Sequence, residues 1–276
     1  MMRLKPIYLL LLIVSLTLSA CSSAPEKEST EQELYNAAKR SIKLRNFPQA
    51  TTALEELEAK FPFGTYAEQA QLDLIYARYS SLDLEGAKLA ADRFIRLHPQ
   101  SPSVDYAYYI RGIANYSLDI GVSSQYFTTV DISSRDPGQM RESFKDFSEL
   151  LMRFPDSPYA ADAQKRMIQI RNRLSRYELH AARYYIRREA YIAAVNRAAY
   201  VVEHFPNSPS VEEALIMMVE IYQELGLNSQ KDDALAVLKA NFPKGKGFDK
   251  NMVFTPMHQL KLDRSLLSVV SFGLFD

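Results

Sequence analysis

Two hydrophobic patterns run along the chain. The first is one apolar stretch, Ile7 to Leu18. At about a dozen residues it is shorter than the ~20 a bilayer-spanning helix needs and has the length of a secretory signal core. The second pattern begins after residue 30 and recurs. Its markers are five prolines, each preceded by an aromatic ring: Phe61-Pro62, His98-Pro99, Phe154-Pro155, Phe205-Pro206 and Phe242-Pro243, at spacings of 37, 56, 51 and 37 residues. Five positions before each Pro stands a core candidate (Leu57, Phe94, Leu150, Val201, Leu238), and twelve before stands a small residue (Ala50, Ala87, Ser143, Ala194). Eight positions after it stands another small residue (Ala70, Ala107, Ala163, Ala214). Proline disfavours helix in the residue before it, small residues let paired helices approach, and a period of about 34 is that of a tetratricopeptide unit. The predicted fold is all-α, a tetratricopeptide-like α-solenoid of about five helix pairs, two of them enlarged, after a signal peptide.

The pairs fall at about 31–60, 65–97, 102–153, 158–204 and 209–241. Thr30 and Glu33 have the spacing of a capping box opening the first helix. Two residues after each Pro comes Gly or Ser (Gly64, Ser101, Ser157, Ser208, Gly245), followed in three units by Pro102, Pro158 and Pro209. This predicts Ser as N-cap and Pro at the first helical position. Residues 119–139 (Asp119 to Gln139) form a loop inserted in the third unit, and the first helix of the fourth runs from Tyr159 towards Arg188. Lys231 takes the small position in the last unit, which is therefore degenerate or a cap. The expected domains are a signal peptide over 1–20, an acylated Cys and tether over 21–30, the repeats over 31–242, and an extension over 243–276. The extension's apolar residues (Leu266, Leu267, Val269, Val270, Phe272, Leu274, Phe275) suit a cover for the last helix pair, whose outer side lacks a neighbour.

Charge and cysteine change the picture at the N-terminus. Arg3 and Lys5 precede the apolar run, and Leu18-Ser19-Ala20-Cys21 follows it. Small residues before a Cys at this place resemble the lipobox of bacterial lipoproteins, in which the Cys is acylated and the signal is cut before it. Cys21 is the only cysteine, so the body holds no disulfide, and several acyl chains at ~0.8 kcal/mol per buried CH₂ make a firm anchor. Ser22, rather than an Asp, implies by the same resemblance the outer membrane, facing the periplasm. Residues 22–29 are small and polar, as a tether would be. Basic and acidic residues balance at 33 each, and loss of Arg3 and Lys5 leaves 31 against 33, so no net field invites nucleic acid or anionic lipid.

No reaction chemistry is legible. His98, His180, His204 and His258 form no metal-ligand spacing, and no Gly-x-Ser-x-Gly, P-loop or Gly-x-Gly-x-x-Gly occurs. His98 and His204 stand at helix ends, where capping is the ordinary role. The many carboxylates fall on polar helix faces. The expected function is binding, without catalytic or metal-binding residues and without a cofactor beyond the lipid on Cys21.

The order of several motifs then carries a resemblance: Phe-Pro-Phe-Gly-Thr-Tyr at 61–66, Gln-Leu-Asp-Leu-Ile-Tyr-Ala at 71–77, Asp-Arg-Phe-Ile-Arg-Leu at 92–97, Arg-Asp-Pro at 135–137 and Val-Asn-Arg at 195–197. With the lipobox, the set resembles the BamD family, lipoproteins of the outer-membrane β-barrel assembly machinery, from the signal to about residue 240. The resemblance implies five tetratricopeptide repeats, a complex with the barrel protein BamA and the lipoproteins BamC and BamE, and recognition of unfolded barrel precursors. The segment from Gly245 on is longer than the family usually carries. The alternative is a structural tetratricopeptide lipoprotein organising a cell-envelope or division complex. The nearest such protein opens with a coiled coil, and no sustained heptads precede the first repeat here.

Two sets of site residues follow. In tetratricopeptide repeats the first helix of each pair lines a groove. With each unit starting three residues after its Pro, the groove positions are Tyr66, Gln69, Asp73 and Tyr76, then Ser103, Tyr106, Ile110 and Ile113, with Tyr35 from the first unit. The client implied by the resemblance is the C-terminal aromatic signal of barrel precursors; the other reading of the tyrosines is interior packing. Arg197 stands one residue, hence roughly 100°, from the stripe of Ala194, Ala198 and Val201. The resemblance implies that it pairs with an acidic residue on the last periplasmic domain of BamA. The alternative is a solvated Arg197, or one paired within its own chain with Glu203 or Glu189.

Overall fold

The computed structural model describes residues 29–121, 134–258 and 260. The predicted signal peptide, Cys21 and the tail residues Leu266 to Phe275 lie outside these. The described residues form ten α-helices in five consecutive pairs: α1 (Glu31–Lys43) with α2 (Phe47–Lys60), α3 (Ala67–Ser80) with α4 (Leu84–Leu97), α5 (Val104–Ile120) with α6 (Gly138–Arg153), α7 (Ala160–Arg187) with α8 (Tyr191–His204), and α9 (Val211–Glu224) with α10 (Asn228–Asn241). The only β feature among them is an isolated bridge between Phe248 and Phe254. The all-α helix-pair architecture read from the sequence is the fold. The chain divides into two compact units, Met1–Ala67 and Glu68–Asp276.

Each helix that precedes a Phe-Pro or His-Pro pair stops at the residue before the proline. Phe61, His98, Phe154, Phe205 and Phe242 are C-caps with φ between −134° and −127° and ψ between 48° and 63°. Proline's ring pushes its predecessor out of the α region, so the same dihedrals recur five times. Within four of the pairs the turn is also shared. Arg45, Leu82, Glu189 and Gly226 adopt φ of 58° to 68°, and the next residue's N–H bonds back to the last helical turn (Asn46 to Ser41, Asp83 to Arg78, Ala190 to Tyr185, Leu227 to Tyr222). This is a Schellman closure, here made three times with a residue that has a Cβ.

In the first unit, Thr30 and Glu33 form the expected capping box. Leu34, Ala38 and Ser41 of α1 pack on Ala50, Leu54 and Leu57 of α2. Glu31 then accepts the Tyr66 N–H at 2.7 Å, and its carboxylate sits where a Cβ on Gly64 would be, so a side chain there would push the carboxylate aside.

In the second unit two hydrophobic clusters share α7. One runs from Leu72 to Leu174 and includes Phe94, Tyr108, Met140, Phe147 and Leu150. The other runs from Leu179 to Leu238 and includes Tyr191, Val201, Leu215 and Ile216. All five residues standing five before a proline are fully buried, as are seven of the eight small positions; Ala70, the eighth, is 2% exposed.

The starts of the first helices differ from expectation. α5, α7 and α9 begin at Val104, Ala160 and Val211, two residues beyond Pro102, Pro158 and Pro209. Ser101 and Ser157 do not cap these helices in the expected way. Each accepts the N–H two residues on, at 3.2 Å, and donates its own proton to an acid in the first turn of the preceding first helix: Ser101 to Glu68 at 2.6 Å, Ser157 to Asp105 at 2.7 Å. Glu212 does the same for the Lys246 N–H. At the next equivalent position Ser208 makes neither bond, its Oγ being buried without a hydrogen-bond partner; the bond beside it is a neutral one, Ser175 to Ser210 at 2.9 Å. The insertion in the third unit is also shorter than expected. α5 continues through Ile120 because Asp119 forms a buried ion pair with Arg173 of α7, and α6 starts at Gly138.

Candidate functional site

In the first unit Tyr35 and Tyr66 stack, with ring centroids 4.6 Å apart and planes 14° from parallel, and Lys39 Nζ lies 5.9 Å from the Tyr35 centroid. The Glu31 bond that locks the Gly64 turn also fixes the backbone of Tyr66, so the stack is set by α1.

In the second unit the sequence-derived positions separate into two groups. Gln69 is exposed and donates to Asp73, which is buried, at 3.2 Å; Tyr76 is exposed at 42%, and Tyr106 is half-buried. Ile110 and Ile113 are each only 5% exposed and belong to the first cluster. The structure therefore places these two in the interior, where their β-branched and apolar surface packs, and not on a groove wall.

The outward row on α5 is instead Tyr106, Tyr109 and Tyr116. Tyr106 lies among Tyr159, Tyr76, Asp73 and Tyr79, and burial followed by these neighbours holds its hydroxyl far above the ordinary range. Tyr109 stacks on Tyr159 at 4.6 Å and 18° and donates to Asp162 at 2.8 Å. Burial and that bond push its hydroxyl up to about 12. Arg166 holds the same Asp162 at 2.5 Å and covers the Tyr116 ring at 5.4 Å; Tyr116 donates to Gln169 at 3.1 Å. α3, α5 and the start of α7 thus present partly exposed rings, and on α5 the hydroxyls of Tyr109 and Tyr116 are held by an acid and an amide of α7. Tyr109, Tyr116 and Tyr159 were missed because the assumed register stepped to Ile110 and Ile113; the spacing of tyrosines on α5 was the signal available. Such a surface suits an extended peptide: ring faces take apolar side chains and hydroxyls take polar groups.

Arg197 lies on the surface of α8 with 46% of its side chain exposed, one Nη1–H donating to Glu178 of α7 at 3.0 Å. The partner is neither Glu203 nor Glu189. Glu178 is 5% exposed and also faces Arg141 of α6 at 3.9 Å. Burial works against the Arg197 charge, but bonds to Glu178 and Tyr185 more than restore it.

A third constellation had no sequence signal. His258, beyond the last repeat, bonds Glu220 through Nδ1 at 2.7 Å, and its Nε2 lies 3.6 Å from Glu213, which also takes Arg183 at 2.5 Å. The N–H groups of Met257 and His258 are donated to Glu220 as well. Burial alone would lower the His258 pKa, but the two carboxylates raise it to about 9. The bond from His258 leads in holding Glu213 down to about 2, against burial and with help from Arg183. This fastens residues 245–258 to α9, with Phe248, Phe254 and Leu260 packed on the second cluster.

Among the described residues no group of three or more His, Cys, Asp or Glu is placed to hold a metal, and no helix is long and apolar enough to cross a membrane. Cys21 lies outside the described residues.

The family model described as "YfiO: Outer membrane lipoprotein" matches residues 27–238. The chain is 38% identical over 233 residues to the outer membrane protein assembly factor BamD of Vibrio cholerae, covering 84% of this chain and 96% of that one. It is 39% identical over 244 residues to BamD of Neisseria meningitidis serogroup A, covering 86% and 91%. Among solved structures, a tetratricopeptide repeat protein from Parabacteroides merdae is similar with a TM-score of 0.36 and 13% identity, over 76% of this chain and 79% of its own. The chain belongs to the YfiO family of outer membrane lipoproteins, together with these BamD relatives.

Proposed function

We propose that this chain is a non-enzymatic scaffold of the outer-membrane β-barrel assembly machinery, anchored through lipid on Cys21 at the periplasmic face. Its partners are the periplasmic domains of BamA, the lipoproteins BamC and BamE, and unfolded barrel precursors. The relatives are named outer membrane protein assembly factors, and the chain shares most of their length. The observation that carries the client-binding part is the row of half-exposed tyrosines along α3, α5 and the start of α7, with Tyr76 and Tyr106 at its centre. Rigid rings with polar tips offer contact area at low entropic cost.

Arg197 supports the partner-binding part. Glu178 occupies one Nη1–H and Tyr185 also bonds the group, and the remaining donors of this planar five-donor group can meet a carboxylate on BamA. The buried acid fixes the fork in place before the partner arrives. Cross-linking from positions 66, 76 and 106 to a barrel-precursor peptide tests the client surface; labelling confined to other faces overturns it. Arg197→Ala should reduce BamA association at unchanged melting temperature, with Arg197→Lys restoring it only in part. Unchanged association removes Arg197 from the interface.

A further inference from the structure

In the third unit α5 sends Arg111 between two second helices. Arg111 pairs with Asp92 of α4 at 2.7 Å, and with Asp146 and Glu149 of α6 at 2.8 and 3.3 Å. Tyr108 and Asn115, on the same face of α5, bond Glu149 and Asp146. An ion network therefore fills the space between α4 and α6.

The proline register locates the matching positions in the last unit. Tyr108, Arg111 and Asn115 stand 9, 12 and 16 residues after Pro99; Leu215, Met218 and Tyr222 stand 9, 12 and 16 after Pro206. Asp146 and Glu149 stand nine and six before Pro155; Ala234 and Val237 stand nine and six before Pro243. Asp92, seven before Pro99, is matched by Ala199. Each charge of the network is thus exchanged for an apolar side chain. In place of the ions lies an open groove of about 270 Å³, lined by Leu215, Met218, Tyr222, Ala234 and Val237 with Val202 of α8. Leu215 and Ala234 are its buried floor, and Val237 is 43% exposed. Its rim is acidic. Asp233 lines it, and burial followed by the charge of Glu203 raises the Tyr222 hydroxyl.

The segment over 245–258 does not cover this groove. It holds Glu212, Ile216 and Glu220 of α9, through the Lys246 N–H, Gly247 and His258. Met218 lies two residues from Ile216 and from Glu220, hence roughly 200° round the helix. The remaining chain supplies an occupant of matching chemistry. Leu260 packs on the same cluster as Val202, Met218 and Tyr222, and sixteen residues follow it. They open with Lys261 and Arg264, opposite in sign to the rim, and hold seven apolar side chains between Leu266 and Phe275. Left in water, such a run is an exposed apolar patch that folded chains rarely keep. Sixteen extended residues reach about 50 Å, whereas the pair α9–α10 is about 20 Å across, so the run can pass round the pair and still lie along the groove. The His258 latch fixes its origin, and a short tether gives an effective concentration on the order of mM.

We propose that residues 261–276 of this chain dock in the groove between α8 and α10, seating apolar side chains on Met218, Tyr222 and Val237 with the basic start of the segment facing the acidic rim. The contact stands or falls without the tyrosine row and Arg197. The chain has no Trp, so Phe272→Trp in the mature chain carrying Cys21→Ser gives a single fluorescent reporter. Its emission should be shifted to the blue and shielded from iodide, relative to a free peptide of residues 261–276 with the same substitution. Val237→Asp should return both readings to those of the free peptide, and the milder Val237→Ser should move them part of the way. Leu89→Asp, at an α4 position 62% exposed, should change neither. In a second arm, labelled peptide 261–276 should bind the chain ending at Leu260. Val237→Asp should weaken that binding at least about tenfold, or ~1.4 kcal/mol, because a carboxylate would enter an apolar contact. A reporter as exposed in the isolated chain as in the free peptide overturns the proposal and leaves the groove to a partner protein. A shift that survives Val237→Asp, or falls equally with Leu89→Asp, also overturns it. So does a shift that grows with protein concentration, which would place the segment on a second copy.

Discussion

The two hydrophobic clusters of the second unit are built by the same rules and finished differently. Both are assembled from proline-terminated helices with alanines at the close approaches, and both use α7, whose Ile170 and Leu174 enter one cluster while Leu179 and Ala182 enter the other. The first is bordered by Tyr79, Tyr106, Tyr109, Tyr116 and Tyr159, only partly buried. The second is covered by a segment from outside the repeat, through Phe248, Phe254 and Leu260. The shared positions make the frame. Residues between them decide whether a face is left as tyrosine surface or closed. A terminal pair has no following pair to bury its side, and the segment over 245–258 takes that place.

The strongest way to break this comparison is to empty one cluster. Phe147 is fully buried, and a Cβ on Gly112 would lie 2.7 Å from its ring. Phe147→Ala should cost about 3–5 kcal/mol, read by urea denaturation. If α7 couples the clusters, the second melts with the first in one transition. Two separated transitions would show that the shared helix does not transmit stability.

The next largest effect tests the closure. His258 is raised to about 9 from an ordinary 6.5, so its contribution is fully present below pH ~6.5 and is lost as pH rises through about 9. At 1.36 kcal/mol per pKa unit the shift corresponds to ~3 kcal/mol at most. Glu213, held to about 2, contributes above its ordinary 4.5, and that contribution is lost as pH falls towards 2. The closure should thus be firmest near pH 5–6.5. His258→Ala should lower the melting temperature there and flatten its decline above pH 7. An unchanged alkaline limb would separate the imidazole from the stability of this region.

Much of the frame was legible because it rests on local chemistry. Prolines dictate where helices stop, and alanines mark where helices touch. What escaped the sequence depends on contacts far along the chain. Ser101 and Ser157 have the composition of N-caps, yet acids 33 and 52 residues away claim their protons. Of the expected α5 positions Tyr106 lies in the outward row, while Ile110 and Ile113 turn inwards, since a one-residue error in register turns a helix by about 100°. Arg197 was correctly placed at the surface, but its partner Glu178 lies on another helix at a separation no local pattern predicts. His258 had no sequence partner at all.

The serine bonds offer a finer contrast between the regions. Ser157 donates to a carboxylate and accepts the Tyr159 N–H, whereas Ser210 meets another serine. Ser157→Ala leaves Asp105 without that donor and should cost about 1.5–2 kcal/mol. Ser210→Ala breaks a neutral bond and should cost about 1 kcal/mol. Thermal melts of the two variants rank them, and equal losses would mean that the charge on Asp105 is already satisfied by water.

The smallest effect concerns how the second helix of each pair begins. Asn46 and Asp83 cap α2 and α4, accepting the N–H groups of Gln49 at 3.4 Å and Gly86 at 3.0 Å. The N-caps of α8 and α10 are Ala190 and Leu227, neither with a side-chain cap bond. Leu227 is committed to the second cluster, so replacing it would exchange packing for capping. Ala190 has no such role, and its φ of −84° and ψ of 62° match the −78° and 71° of Asp83. Ala190→Asp should therefore stabilise the chain by about 0.5–1 kcal/mol, within the range of N-cap substitutions. The gain sits at the low end because the bond at α4 is short only where Gly86 lacks a Cβ; an added one would collide with the Asp83 carboxylate. Ala193, the matching residue in α8, keeps its Cβ, so the geometry to expect is the longer one of Asn46 and Gln49. Adding Ala193→Gly should not help further, since glycine within a helix costs about 1 kcal/mol relative to alanine. A rise in melting temperature for Ala190→Asp alone supports this reading, and a fall would mean that the α7–α8 turn cannot hold its N-cap in the geometry that α2 and α4 share.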